Sequence, residues 1–140
     1  MSLDVYLTRK KWVSYDEGKS HTEESEELYS ANITHNLNKM ADEAGIYNAL
    51  WRPYRLKSDY HIAENDHDAQ YIFESQQTTK ASEIIPLLEK GLADLKARPE
   101  YFEKFNSANG WGMYKHFVPF VEKYLKACKE YPDAIVEVSR

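Results

Sequence analysis

Apolar positions recur with helical period along residues 109–131, NGWGMYKHFVPFVEKYLKACKEY. At about 100° per residue, Tyr114, Phe117, Val118, Phe120, Val121, Tyr124, Leu125 and Cys128 fall within an arc of roughly 160°. A surface helix commonly buries a stripe of about 100°, so this one is expected to be covered on two sides and to form the spine of the fold. A second helix is predicted from Lys80 onward, with Ala81, Ile84, Ile85, Leu88, Leu92 and Leu95 on one face. Gly91 stands at the edge of that face, where a neighbour can approach closely, and Arg98-Pro99 ends the helix. A short helix carrying Tyr101, Phe102 and Phe105 inward should follow before the Asn109-Gly110 turn. The stretch ANITHNLNKMADEAG reads as a third main helix, with Asn32 as N-cap, Ile33, Leu37, Met40, Ala41 and Ala44 on one face, and Gly45 at the left-handed C′ position. A further short turn should end near Trp51-Arg52-Pro53, because proline disfavours helix in the residue before it.

Strand patterns lie at the two ends. Leu3, Val5 and Leu7 alternate with polar or amphipathic residues, Glu27 to Ala31 reads as a strand returning beside them, and Ala134, Val136 and Val138 alternate near the C-terminus. The expected architecture is therefore α+β: three to four packed helices and a small sheet formed by N-terminal and C-terminal strands. Residues 56–79 carry no clear period and read as a hairpin or a mobile excursion.

Composition narrows the functional classes. A chain of 140 residues with 42% apolar content suits one domain spanning 1–140. Eleven Tyr and three Trp suit half-buried surfaces such as pockets and interfaces. One cysteine excludes an intrachain disulfide, and with no secretory pattern or membrane-length apolar run the chain reads as a cytoplasmic protein without a membrane partner. The net charge of −5 is concentrated in residues 16–27, where six acids face one lysine; elsewhere 17 acids balance 17 bases. That segment reads as an acidic, solvated loop, and the balance elsewhere argues against duplex nucleic acid as a partner.

The candidate chemistry is that of binding. No GxSxG, P-loop, GxGxxG, HExxH or zinc-type cysteine spacing occurs. The cluster His61, Glu64, Asp66, His67 and Asp68 reads as turn chemistry before it reads as a metal site, and neither metal nor cofactor is implied. Arg52 and Arg55 alternate with Trp51 and Tyr54, flat cations beside flat aromatics, which suits an anion joined to a stacked base. The competing reading has the arginine stems packing over the rings. Asn36 lies at the edge of its helix stripe, and Asn109, Trp111 and His116 surround the start of the spine helix. Both clusters sit at element ends, where clefts form. They are expected to converge on one concave site for a phosphate-bearing aromatic ligand, with Arg52 or Arg55 on the anion and Trp51 or Trp111 on the base. The structural alternative makes Trp111 a core plug.

The segments SLDVYL, NITHNLNKMA, LWRP, NGWGMY and VEKYLKACKEYPDA, with the valine strand that follows, resemble a family of small uncharacterised proteins of phages and bacteria. The resemblance covers most of the chain except residues 10–25 and 56–78, which look like insertions. It assigns no functional residue. It implies a host-directed role, such as capture of a nucleotide-type immune signal or inhibition of a defence protein. Two readings therefore lead: a non-catalytic, sequestering protein for a nucleotide-like small molecule, and a module that blocks a host protein partner. A small enzyme using His35 or His116 with a carboxylate from another segment, or a metal, ranks behind them.

Overall fold

A computed structural model describes residues 2–140. Its centre is an antiparallel sheet in the order β2-β1-β4-β3, formed by β1 (Ser2–Val13), β2 (Thr22–Thr34), β3 (Thr79–Lys80) and β4 (Ile135–Ser139). Leu3, Val5 and Leu7 of β1 are fully buried, and Val5 and Leu7 stand opposite Val138 and Val136 of β4. The alternation read from the sequence is thus the alternation of one buried sheet face. The α+β architecture is as expected, with the sheet built from strands at both ends of the chain.

The helices are α1 (Asn38–Glu43), α2 (Tyr47–Trp51), α3 (His67–Gln76), α4 (Ala81–Ala97), α5 (Pro99–Glu103) and α6 (Tyr114–Glu130), with single 3-10 turns at His35–Leu37, Pro53–Leu56 and Ser58–Ile62. Helix α6 is the spine: Phe117, Val121, Tyr124 and Cys128 are fully buried, and its main neighbours are α4 and β2. The helix after Asn32 is not one of those main neighbours. The α1–α2 segment leans mainly on α4, where Gly91 leaves room: a Cβ there would stand 2.3 Å from Ile46 Cγ2 and 3.1 Å from the Ala44 carbonyl. Pro86 and Pro119 each lie inside a long helix on an exposed face, where water can satisfy the carbonyl that a proline leaves unbonded.

Three further expectations change. Strand β2 runs on through Asn32 to Thr34, pairing Ser2 with Thr34, so the cap is Thr34, whose Oγ1 accepts the Asn36 N–H, and not Asn32. β-Branched Ile33 and Thr34 favour the pleated backbone, and the N-terminal end of β1 supplies the partner. The acidic segment is only partly a loop. Residues 23–27 belong to β2, where Arg9 meets Glu26 at 2.8 Å and Lys10 meets Glu23 at 3.1 Å, so cross-strand cations neutralise acids that look unopposed in the sequence. Residues 56–79 form no hairpin of their own. They hold the Ser58–Ile62 turn and α3, whose N-cap Asp66 accepts the N–H groups of Asp68 and Ala69, which uses that carboxylate locally. No residue of α3 is buried; Glu74 ties it to Arg140 and Phe73 meets the Tyr60 ring, while Lys57 fastens the flanking segment to Glu83 and the Thr78 carbonyl.

Candidate functional site

Where β2 gives way to the His35–Leu37 turn, the loop before α6 folds over it and a cleft of about 1000 Å³ opens between them. The loop is fastened by its own side chains. Asn106 Oδ1 accepts the Tyr114 N–H at 2.6 Å and so caps α6, while Asn109 Oδ1 accepts the Trp111 N–H at 2.9 Å. Asn36 Nδ2 then donates to the Trp111 carbonyl at 2.7 Å and ties the loop to the opposite wall. Gly112, with φ of +113°, is buried against Asn36; a Cβ there would lie 2.8 Å from the Asn36 Cβ. The peptide of Trp111 is thus held at both ends while its side chain stands 70% exposed at the rim. It is an exposed ring and not the core plug of the alternative reading.

The rest of the lining combines apolar Ile33 and Leu37 with polar side chains. Asn32, Asn36 and Asn109 bring amides, His35 and His116 bring imidazoles, and Ser2 and Thr34 bring hydroxyls. Among the described residues no arginine, lysine or carboxylate lines the cleft, so His35 and His116 have no acid partner there. His35 is also committed behind the wall: its Nδ1 accepts the indole N–H of Trp51 at 3.0 Å. Because indole nitrogen only donates, the proton of neutral His35 sits on Nε2, which is buried without a partner.

Of the sequence-derived candidates, Asn36, Asn109, Trp111 and His116 share this cleft. The other cluster does not converge on it. Trp51 is 2% exposed, stacked on Tyr47 at 5.3 Å, and touches the cleft only through His35, so it cannot stack on a ligand as it stands. Tyr54 is 4% exposed and reaches a different cleft of about 420 Å³ bounded by Tyr6, Glu74 and Glu137. Arg52 is half-buried; burial works against its charge, but the hydroxyls of Tyr47 and Tyr54 more than compensate and raise its pKa. Arg55 lines a third cleft. The separation has a simple cause: the turn at Trp51-Arg52-Pro53 buries its large rings in the core and leaves the guanidinium groups on the outer side.

Sequence reasoning missed Asn32, Thr34 and Gly112 as parts of the cleft and named His35 only as an acid–base candidate. The alternation of Ile33 with polar neighbours was the available sign that a strand continues to this point. The structure defines an α+β domain with a ligand-sized cleft at a strand-to-helix switch, lined among the described residues by no arginine, lysine or carboxylate. No protein-family model, curated protein or solved structure matches the chain. No helix in the described residues is long and apolar enough to cross a membrane.

Proposed function

We infer that this is a non-catalytic binding protein whose Trp111 cleft holds a small planar heteroaromatic ligand of the nucleobase or nucleoside type. The observation that carries this reading is the exposed indole of Trp111, fixed through its peptide to Asn36 and Asn109 in a cleft that also presents the Asn32, Asn36 and Asn109 amides. An aromatic face supports stacking, and amides offer donors and acceptors to the edge of a heterocycle. The phosphate of a nucleotide would project out of the cleft, because no arginine or lysine lines it. Sequestration of a nucleotide-derived signal is the setting that the family resemblance favours.

Calorimetric titration of nucleosides and their matched nucleotides tests the reading. A nucleoside should bind about as well as its nucleotide, and Trp111→Ala should weaken both by roughly 5-fold to 150-fold, the equivalent of about 1–3 kcal/mol of stacking. Absence of heat with the whole panel, or equal binding by Trp111→Ala, would sink it. The second reading, a module that blocks a host protein, is favoured by the hairpin arm. Beyond Thr8, β1 pairs only with β2, and Trp12 and Tyr15 are 67% and 77% exposed on that arm. Substituting both with Ser and finding small-molecule binding intact but the biological effect lost would support that second reading.

A further inference from the structure

A separate cleft of about 440 Å³ opens between α1, α2 and the turn after Pro53, bounded by Asn38, Lys39, Asp42, Tyr47, Asn48 and Arg55. Arg55 sets it apart. Arg9, Arg98 and Arg140 each hold a carboxylate, and Arg52 donates to the Tyr54 hydroxyl. Among the described residues the Arg55 guanidinium has no hydrogen-bond acceptor and no ion-pair partner, and its Nε is buried unmatched. Its recorded contact is with the Tyr60 ring, 5.9 Å from the guanidinium carbon, and Tyr60 is itself set between Tyr54 and Phe73 at 5.7 and 6.0 Å. The contact keeps the guanidinium beside the ring, and a planar fork of donors matches the oxygens of a phosphate or carboxylate.

The neighbours define the ligand further. Lys39 Nζ is 3.5 Å from Glu43 Oε1 and lies over the Phe105 ring at 5.7 Å, and its exposed, flexible stem lets this second cation turn to a ligand in the cleft. Asn38 and Asn48 add neutral amides, and Asp42 is the one carboxylate in the lining. A bare anion would be repelled by Asp42, whereas a ligand with a hydroxyl or amino donor beside its anion would bond to it. We propose that this cleft binds the oxyanion of a small metabolite that carries such a donor next to its phosphate or carboxylate, with Arg55 and Lys39 on the anion and Asp42 on the donor. The proposal does not rest on the Trp111 cleft.

The test follows the Arg55 Nε–H resonance by heteronuclear NMR during titration with glycerol 3-phosphate, glycerate and inorganic phosphate. A saturable shift is expected with glycerol 3-phosphate or with glycerate, whichever oxyanion the site takes, and a weaker one with inorganic phosphate. Arg55→Gln, read by backbone amides of Asn38 and Asn48, should weaken binding about tenfold or more, because it removes charge-assisted bonds. Asn48→Asp keeps the local shape while adding a repelling charge, so it should weaken binding even if Arg55→Gln disturbs the fold. Trp111→Ala should leave the titration unchanged, and Arg55→Gln should leave nucleoside binding unchanged. An Arg55 resonance that no probe moves, a shift equal in Asn48→Asp, or a titration abolished by Trp111→Ala would overturn the proposal.

Discussion

Replacing Gly112 with alanine should be one of the most damaging single-methyl additions in the loop, and Gly110→Ala is its natural control. Both glycines have positive φ, +79° at Gly110 and +113° at Gly112. A Cβ at Gly110 would meet nothing within 4 Å. That substitution therefore carries only the left-handed backbone penalty, about 1–2 kcal/mol. At Gly112 the same penalty is joined by a clash with the Asn36 Cβ at 2.8 Å and close approaches of 3.3 Å to the Asn36 backbone carbon and Thr34 Cγ2. Backbone cannot swing aside as a side-chain end can, so an overpacking term of about 1–3 kcal/mol should add, giving about 2–5 kcal/mol. With a urea m-value of about 2 kcal/mol/M, the midpoint should fall by about 1–2.5 M for Gly112→Ala and by about 0.5–1 M for Gly110→Ala. The loop would also shift away from Asn36, so ligand affinity in the Trp111 cleft should fall with stability. Equal midpoints for the two variants would show that the loop does not pack on Asn36 as described.

Two further substitutions probe the core. Tyr124 is fully buried with its hydroxyl unpartnered, between Tyr29 and Phe120 at 6.1 Å each, so Tyr124→Phe should be neutral or stabilising by about 1 kcal/mol in urea denaturation. A clear loss of stability would mean that the hydroxyl has a partner. Burial pushes the Cys128 thiol up to about 12, above its unfolded value, so between about pH 9 and 12 the unfolded chain binds fewer protons than the folded one. Stability should then fall with rising pH by up to about 1.4 kcal/mol per unit from this group, and Cys128→Ala should show a shallower fall between pH 8 and 11. Identical slopes would count against a buried thiol.

The long amphipathic helices and the end strands were legible because each repeats its period over enough residues for one answer to dominate. The errors fall where two periods compete over a short stretch. In NITHN the same residues serve a helix stripe or a strand face, and only the presence of β1 alongside decides for the strand. The acidic run misled for a related reason: local charge counting cannot see Arg9 and Lys10 across a hairpin. Residues 56–79 carry no period that matches their structure, since α3 has no buried residue and is tied by the ion pair of Glu74 with Arg140 at the far end of the chain, while Lys57 of the preceding turn reaches Glu83 of α4.

The candidate site shows the same limit for amphipathic aromatics. Trp51 and Trp111 both stand beside polar residues at helix ends, and nothing local distinguishes them. Their fates differ in the final structure because of what each polar tip and peptide meets. The indole N–H of Trp51 finds His35 Nδ1, which permits its burial without an unmatched donor. For Trp111 it is the peptide that is bonded, to Asn36 and Asn109, and the positive φ of Gly112 directs the chain back against Asn36. With its backbone anchored on that wall, the Trp111 ring remains at the rim. The exposure of Trp111 therefore arises from hydrogen bonds to the main chain, and the residue type alone could not announce it.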